Sequence, residues 1–204
     1  LTGEITGRGS SEILVTAYQY DENGNCVQQT DIDGTTSTLQ YDEFDRIKRH
    51  YLPSGSFADY SYNAAGRIIS QTLYDVNNLA LQQSVYEYDS TGRCTSIRQR
   101  QQCGVDNDTN DFVTVYSFDC FDNIIQKTIK ADTEANDIAV QYQFDGKNRL
   151  TKIIDAMSNS KKFVYDGDDN IKSITNELNL TSVNTYDNFD RLVKSQTPDG
   201  NYKI

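Results

Sequence analysis

The chain contains no tryptophan, two prolines, one histidine and one methionine among its 204 residues, and no apolar run exceeds three residues, Ile13 to Val15 being typical. These scarcities exclude whole classes of reading. A membrane-spanning helix needs about 20 apolar residues in succession, and a signal peptide needs an apolar core; neither is present. A leader upstream stays open, because the chain opens at Leu1 rather than Met. Positive charge is scarce too: 19 Lys and Arg against 30 Asp and Glu leave a net charge of −11. That balance lacks the basic stripe that neutralises phosphate, so nucleic acid is not an expected partner, nor is an anionic membrane surface. Sustained 3.6-residue periodicity is missing, so helix is expected to contribute at most a turn or two within loops.

What is present is aromatic. Hydrophobic residues make up only 36% of the chain, yet 11% are aromatic and 14 of those are Tyr. Disordered chains are poor in aromatics. Thin β structure suits Tyr, which buries its ring and keeps its hydroxyl wet. These rings fall in one recurring phrase: aromatic, any, aromatic, Asp, two residues, Gly or Asp, Arg or Asn, apolar. The second aromatics are Tyr20, Tyr41, Tyr62, Tyr88, Phe118, Phe144, Tyr165 and Tyr186, at spacings of 21, 21, 26, 30, 26, 21 and 21. A period of this size marks a repeat architecture.

Aligned, the eight units specify a hairpin. The first aromatic slot (Tyr18, Leu39, Tyr60, Tyr86, Tyr116, Tyr142, Phe163, Asn184) lies two residues before the second, so both rings share one strand face. Asp or Asn follows, a residue that closes turns by binding backbone two residues on. Three residues later come Gly24, Asp45, Gly66, Gly92, Asp122, Asn148, Asp169 and Asp190, the residue types that tolerate positive φ in a bulged hairpin loop. Then Asn25, Arg46, Arg67, Arg93, Asn123, Arg149, Asn170 or Arg191 leads into a return strand. Second turns are marked at Asp33-Gly34, Pro53-Ser54-Gly55 and Pro198-Asp199-Gly200. The expected fold is all-β: a repetitive strip of antiparallel hairpins over residues 1–204, curved or spiralling, each hairpin stabilised by stacking on its neighbours.

The three longer intervals place insertions of 5, 9 and 5 residues beyond the return strands, around Asp75 to Leu81, Arg98 to Asn110 and Ala131 to Asp137. They are read as longer, neighbouring loops on one acidic edge (Asp75, Asp106, Asp108, Asp111, Asp132, Glu134, Asp137), chiefly length drift on a solvated edge. A recognition rim centred on Asp106, Asp108, Asp132 and Glu134 is the sharper alternative. Of the four cysteines, Cys26 and Cys94 occupy the slot that elsewhere holds Ile or Leu, which reads as small buried hydrophobes with free thiols; a Cys94–Cys103 bridge is the other possibility. No Cys-x-x-Cys pair supports zinc.

The phrases Tyr60-Ser-Tyr-Asn-Ala-Ala-Gly66-Arg67-Ile68 and Tyr86-Glu-Tyr-Asp-Ser-Thr-Gly92-Arg93, with Tyr18-Gln-Tyr-Asp-Glu-Asn-Gly24-Asn-Cys26, resemble the YD repeats of RHS proteins. The resemblance runs from about residue 13 to 204, and Pro198-Asp199-Gly200 after Arg191-Leu192 shares it. In that family, which includes insecticidal toxin-complex components and teneurins, such repeats build a β-strip that spirals into a hollow shell. Bacterial shells enclose a C-terminal toxin; the animal ones belong to adhesion receptors. The resemblance therefore implies a structural segment whose partners are further repeats or a toxin domain, with secreted or contact-delivered extracellular action. No Pro/Gly/Asp-rich cleaving segment occurs, and Pro198 to Tyr202 matches Pro53 to Phe57, so the pattern would set its next aromatic one residue beyond Ile204. The expectation is an excerpt of a longer array.

Catalytic readings give way to the repeat. His50, in Lys48-Arg49-His50-Tyr51, has no nucleophile and orienting acid marked around it. Cys120 is flanked by Asp119 rather than by the positive charge that activates a thiol. Asp166, Asp168, Asn170 and Glu177 fit positions 1, 3, 5 and 12 of a calcium loop, but Ile171 stands where that loop requires Gly. Neither enzyme activity, nor a cofactor, nor a metal is expected. The structural residues are then the second aromatics with Gly24, Gly66, Gly92, Arg46, Arg67, Arg93, Arg149 and Arg191. The second reading is a module for glycans or cell-surface proteins, with Tyr platforms in place of the Trp cages this chain lacks; it requires the slot rings to open to solvent as separate pockets.

Overall fold

Alternating apolar and polar residues broken every ten or so positions by Asp, Asn or Gly can satisfy backbone groups only by pairing strand with strand. The computed structural model of the protein describes residues 3–5, 15–100, 111–131, 136–199 and 201–203. It contains two compact units, Leu1–Val113 and Thr114–Ile204. The first holds β1 (Gly3–Ile5), β2 (Val15–Tyr20), β3 (Cys26–Thr30), β4 (Thr36–Tyr41), β5 (Ile47–Tyr51), β6 (Phe57–Tyr62), β7 (Ile68–Tyr74), β8 (Ala80–Tyr88) and β9 (Cys94–Arg100). The second is built from β10 (Phe112–Phe118), β11 (Ile124–Lys130), β12 (Ile138–Phe144), β13 (Leu150–Ile154), β14 (Ser160–Tyr165), β15 (Ile171–Thr175), β16 (Thr181–Tyr186), β17 (Leu192–Gln196) and β18 (Tyr202–Lys203).

Within each unit the strands pair antiparallel with their sequence neighbours, so each is a meander. Among the described residues no helix is long and apolar enough to cross a membrane. Within each unit the described strands form a single layer. Among the described residues only Phe57 and Ala58 are buried hydrophobics, at 5% and 6% exposure, and most strand positions are half-buried. Cys26 and Cys94 illustrate the consequence: they are free thiols as expected, but half-buried rather than buried, because no second layer covers them.

Both turn series have one form. At 21–25 the amide of Asp21 donates to the carbonyl of Asn25 (2.9 Å) and that of Gly24 to the carbonyl of Asp21 (3.2 Å). The second turns repeat this: Asp31 with Thr35, Leu52 with Ser56, Asp75 with Leu79, Asp155 with Asn159 and Asn176 with Leu180. The fourth residue of each adopts positive φ, from Gly24 at 89° and Asp45 at 57° to Asn78, Ser158 and Asn179 at 63°, 67° and 60°. Seven of the first turns adjoin a register shift, as between Ser61 and Tyr62, the bulge that a three-residue loop carries.

The insertions correct the loop reading. β7 and β8 have seven and nine residues, where ordinary return and forward strands such as β5 and β6 have five and six. The 75–79 turn between them is of ordinary size, so the first insertion is sheet and not loop. Because five is odd, one residue is absorbed by an extra register shift between Leu73 and Tyr74, a shift absent from the second turns of ordinary length. β11 and β12, at seven residues each, take part of the third insertion in the same way, as do β9 and β10 for the second.

Candidate functional site

Seven of the eight first turns place a carboxylate at their first position, and the turn at Asn63 places an amide there. Asp89 Oδ1 accepts from the amides of Thr91, Gly92 and Arg93 at 2.9, 2.8 and 3.0 Å, while Arg93 Nε donates to Oδ2 at 2.7 Å. Hydrogen bonds to the ionised form hold such groups below the ordinary carboxylate range. The Thr91 hydroxyl is the largest cause for Asp89. Arg149 is the largest cause for Asp145, held down to about 2. Asn63 fills the same position without charge, and its Oδ1 still accepts from Ala65 and Arg67.

The repeat residues then reach out of their own hairpin. Tyr41 Oη donates to the Cys26 carbonyl at 2.8 Å, Tyr62 to Ile47 at 2.7 Å, and Tyr88 to Ile68 at 2.7 Å. In the second unit Tyr165 reaches Leu150 at 2.8 Å and Tyr186 reaches Ile171 at 3.0 Å. The acceptor is always the first residue of the preceding return strand. Burial pushes the phenols of Tyr41, Tyr62 and Tyr88 up. Running the other way, Arg46 and Arg149 place their guanidinium over the next repeat's rings, Tyr62 and Tyr165, each at 4.5 Å. Where the slot holds Asn, the amide bridges turns. Asn25 Nδ2 donates to Asp45 Oδ1 at 2.7 Å and Asn170 Nδ2 to Asp190 Oδ1 at 2.8 Å.

Arg67 is the exception that its neighbours explain. Asn63 offers no carboxylate, so its guanidinium leans forward over Tyr88 at 5.9 Å and fills the space beside Gly92. A Cβ on Gly92 would sit 1.8 Å from Arg67 Nη2, and φ there is +95°. Gly92 is thus favoured by the positive φ of its own turn, and a Cβ there would also displace the Arg67 guanidinium. This forward role of the Arg/Asn slot was not read from sequence, where it served only as entry to the return strand. Its signal was available in pairs one repeat apart: Asn25 with Asp45, Arg67 with Gly92, and Asn170 with Asp190.

A second cluster lies on the opposite face. Phe57 stacks on Tyr74 (centroids 4.7 Å apart) and meets Tyr51 at 5.5 Å. Arg49 covers Phe57 at 4.1 Å while pairing with Asp59. The two slots never included these rings. They flank second turns, Tyr51 and Tyr74 just before one and Phe57 just after.

Other expected residues are dispersed. Asp166 Oδ1 is taken by the amides of Asp168 and Asn170 at 3.0 and 2.9 Å. Glu177 sits in the next turn along the chain, beyond β15. No three potential ligands gather among the described residues. His50 lies across from Leu39 and Ala58 in β4 and β6. Cys120 is exposed in its turn. Asp106, Asp108, Asp132 and Glu134, like Cys103, lie outside the described residues. The described acids of the expected edge are engaged: Asp75 closes its turn, Asp111 pairs with Arg98 at 3.2 Å, and Asp137 pairs with Lys130 at 2.7 Å.

The RHS Repeat family model matches residues 20–56, 41–78 and 165–202. No curated protein matches the chain. Among solved structures, that of TcdB2-TccC3 is similar over 98% of this chain and 14% of its own, at 13% identity and a TM-score of 0.57. The same complex without its hypervariable C-terminal region covers 97% of this chain and 13% of its own, at 12% identity and a TM-score of 0.52. The chain thus spans about one seventh of the length of the solved chains it resembles, and at this identity the likeness is one of fold. The hairpins between the matched segments share their turn form, and the chain carries RHS repeats at residues 20–78 and 165–202.

Proposed function

We propose that this chain is a non-catalytic wall segment of a longer, bacterial RHS-type protein, whose strip helps enclose a C-terminal toxin until delivery outside the producing cell. The observation that carries the reading is the two-way ladder. Tyr hydroxyls bind backward to the preceding return strand, and Arg or Asn side chains reach forward to the next turn. The residues that define the repeat are thereby spent on joining hairpin to hairpin, as a wall requires. The slot rings support it too, being mostly half-buried and in contact with neighbouring repeats rather than opening as separate cages. The test uses the full-length parent protein. The polypeptide encoded after the strip is expected to resist added protease and to lack toxicity while the strip is intact. Destabilising the strip with Tyr62→Ala and Tyr165→Ala together is expected to expose it. Equal protease sensitivity of the downstream part with and without those changes would sink the proposal.

A surface-adhesion reading draws on a separate observation. Phe44, Phe121 and Phe189 occupy the same turn position and are 67%, 67% and 79% exposed. Binding to a glycan array that disappears when all three become Ala would favour adhesion; an array left blank by the unmodified chain would remove it.

A further inference from the structure

The second unit segregates its charge. Strands β10 to β17 contain no Asp or Glu, whereas the first turns carry Asp119, Asp122, Asp145, Asp166, Asp168, Asp169, Asp187 and Asp190. A chain of net charge −11 therefore presents sheet faces without a single carboxylate of their own in this unit. On the face opposite the slot rings, one cross-strand row runs Gln143, Lys152, Lys162, Thr175 and Thr181, each directly opposite the next. Lys152 and Lys162 thus oppose each other, an arrangement that destabilises an antiparallel pair.

The other lysines with contacts of this kind have clear relief. Lys130 pairs with Asp137 at 2.7 Å, Lys147 with Asp169 at 2.9 Å, and Lys161 lies over the Phe163 ring at 5.6 Å. Lys152 and Lys162 form no ion pair among the described residues. Beside them run Val164 and Val183, 51% and 43% exposed, joined across strands through Ser173. Thr175 and Thr181 add a hydroxyl pair 2.9 Å apart. The strand residues of this face are uncharged except for cations, and they offer hydroxyl and amide groups that can hydrogen-bond a peptide backbone.

The geometry points to this face of the second unit as a docking surface for an acidic polypeptide segment, with carboxylates seated between Lys152 and Lys162. Charge complementarity selects the occupant. A carboxylate between the two ammonium groups converts their repulsion into two ion pairs. Nucleic acid is disfavoured, because two lysines make no phosphate-tracking stripe. The strands here are five or six residues long, so the acidic turns stand within about 20 Å of one another across the strip. A broad polyanion would overrun onto them, whereas a single extended peptide fits between. The inference is independent of any enclosed toxin.

The test is fluorescence anisotropy on the full chain with a labelled peptide of alternating Glu and Ser. Inorganic phosphate and duplex DNA serve as competitors. Binding is expected at low ionic strength and is expected to vanish as salt rises from about 0.05 to 0.5 M, where screening shortens the reach of exposed charges. K152Q/K162Q is expected to weaken it on the order of tenfold, at the upper end for two exposed ion pairs. K162Q should fall between, and K48Q, in the first unit, should bind as the unmodified chain does. Thermal melting of K152Q/K162Q should match or exceed the parent, since a repulsive pair is removed. The proposal is overturned if the peptide does not bind, if K152Q/K162Q binds equally well, or if phosphate or duplex DNA displaces the peptide at lower charge concentration than unlabelled peptide does.

Discussion

Replacing Tyr62 with Phe isolates the tyrosine ladder from everything else the ring does. The change removes one hydroxyl, whose bond to the Ile47 carbonyl is 2.7 Å long. It leaves the ring beneath Arg46, 4.5 Å away. A neutral hydrogen bond contributes about 0.5–1.5 kcal/mol net, and leaving a shielded acceptor unpaired costs about 1–3 kcal/mol. Half-burial admits some water to the carbonyl, which places the expected loss near 1 kcal/mol. For a chain of this size that corresponds to a fall of about 2–4 °C in Tm. Tyr20→Phe is the internal control. Tyr20 is 51% exposed, and its hydroxyl makes none of the ladder bonds, so the change should stay within about 0.5 kcal/mol. Urea denaturation followed by circular dichroism gives both numbers under identical conditions. If Y62F and Y20F unfold at the same urea concentration, the hydroxyls do not bind the repeats together. The strip would then owe its cohesion to ring packing alone. The chain already contains the substitution at Phe118 and Phe144, so the reverse change, Phe144→Tyr, offers a complementary gain.

Further outcomes follow from the same contacts. Burial raises the phenols of Tyr41, Tyr62 and Tyr88. The stability they contribute is complete below the ordinary phenol value of about 10 and lost as pH climbs through their raised values. Phenolate absorbance and circular dichroism of the first unit should therefore change together in strong alkali, and loss of structure without phenol ionisation would contradict this. Asp145 behaves oppositely, being held down to about 2 chiefly by Arg149. Its contribution is complete above about pH 4 and lost on acidification towards 2, so Asp145→Asn should flatten the acid limb of a stability profile; an unchanged limb would count against the ion pair. Gly92→Ala should cost about 1–2 kcal/mol from left-handed backbone alone, plus displacement of Arg67; adding Arg67→Ala should restore only the second part. Calcium at millimolar concentration should leave the melting temperature unmoved, because Asp166 already serves its turn and Glu177 stands in another.

The hairpin was legible in sequence because turns are local. Asp at position one and Gly, Asn or Asp at position four satisfy requirements within five residues, and all eight first turns adopt the expected positive φ at Gly24, Asp45, Gly66, Gly92, Asp122, Asn148, Asp169 and Asp190. The joints between hairpins were less legible. Tyr62 to Ile47 spans 15 residues and Arg67 to Gly92 spans 25, and no propensity of a single residue encodes either. The second turns at Asp75, Asp155 and Asn176 were hidden for another reason. Glycine and proline mark the turns at Gly34, Pro53 and Pro198, whereas Asn78, Ser158 and Asn179 enter the left-handed region without them. Phe57 and its partners escaped because they lie on the face that the aromatic phrase does not describe.

The odd residue, Leu81, taken up opposite the step from Leu73 to Tyr74 bears on how such chains drift in length. A strand that gains two residues keeps every inward side chain inward, so pairs of residues can accumulate without disturbing the joints on either side. A single residue inverts all that follow unless the backbone buckles to hide it. Length change along this chain is therefore governed by parity: even additions extend a strand in silence, and odd ones leave a kink as their record. A comparison of related strips should find their extra residues added in twos, with a bulge wherever the count is odd.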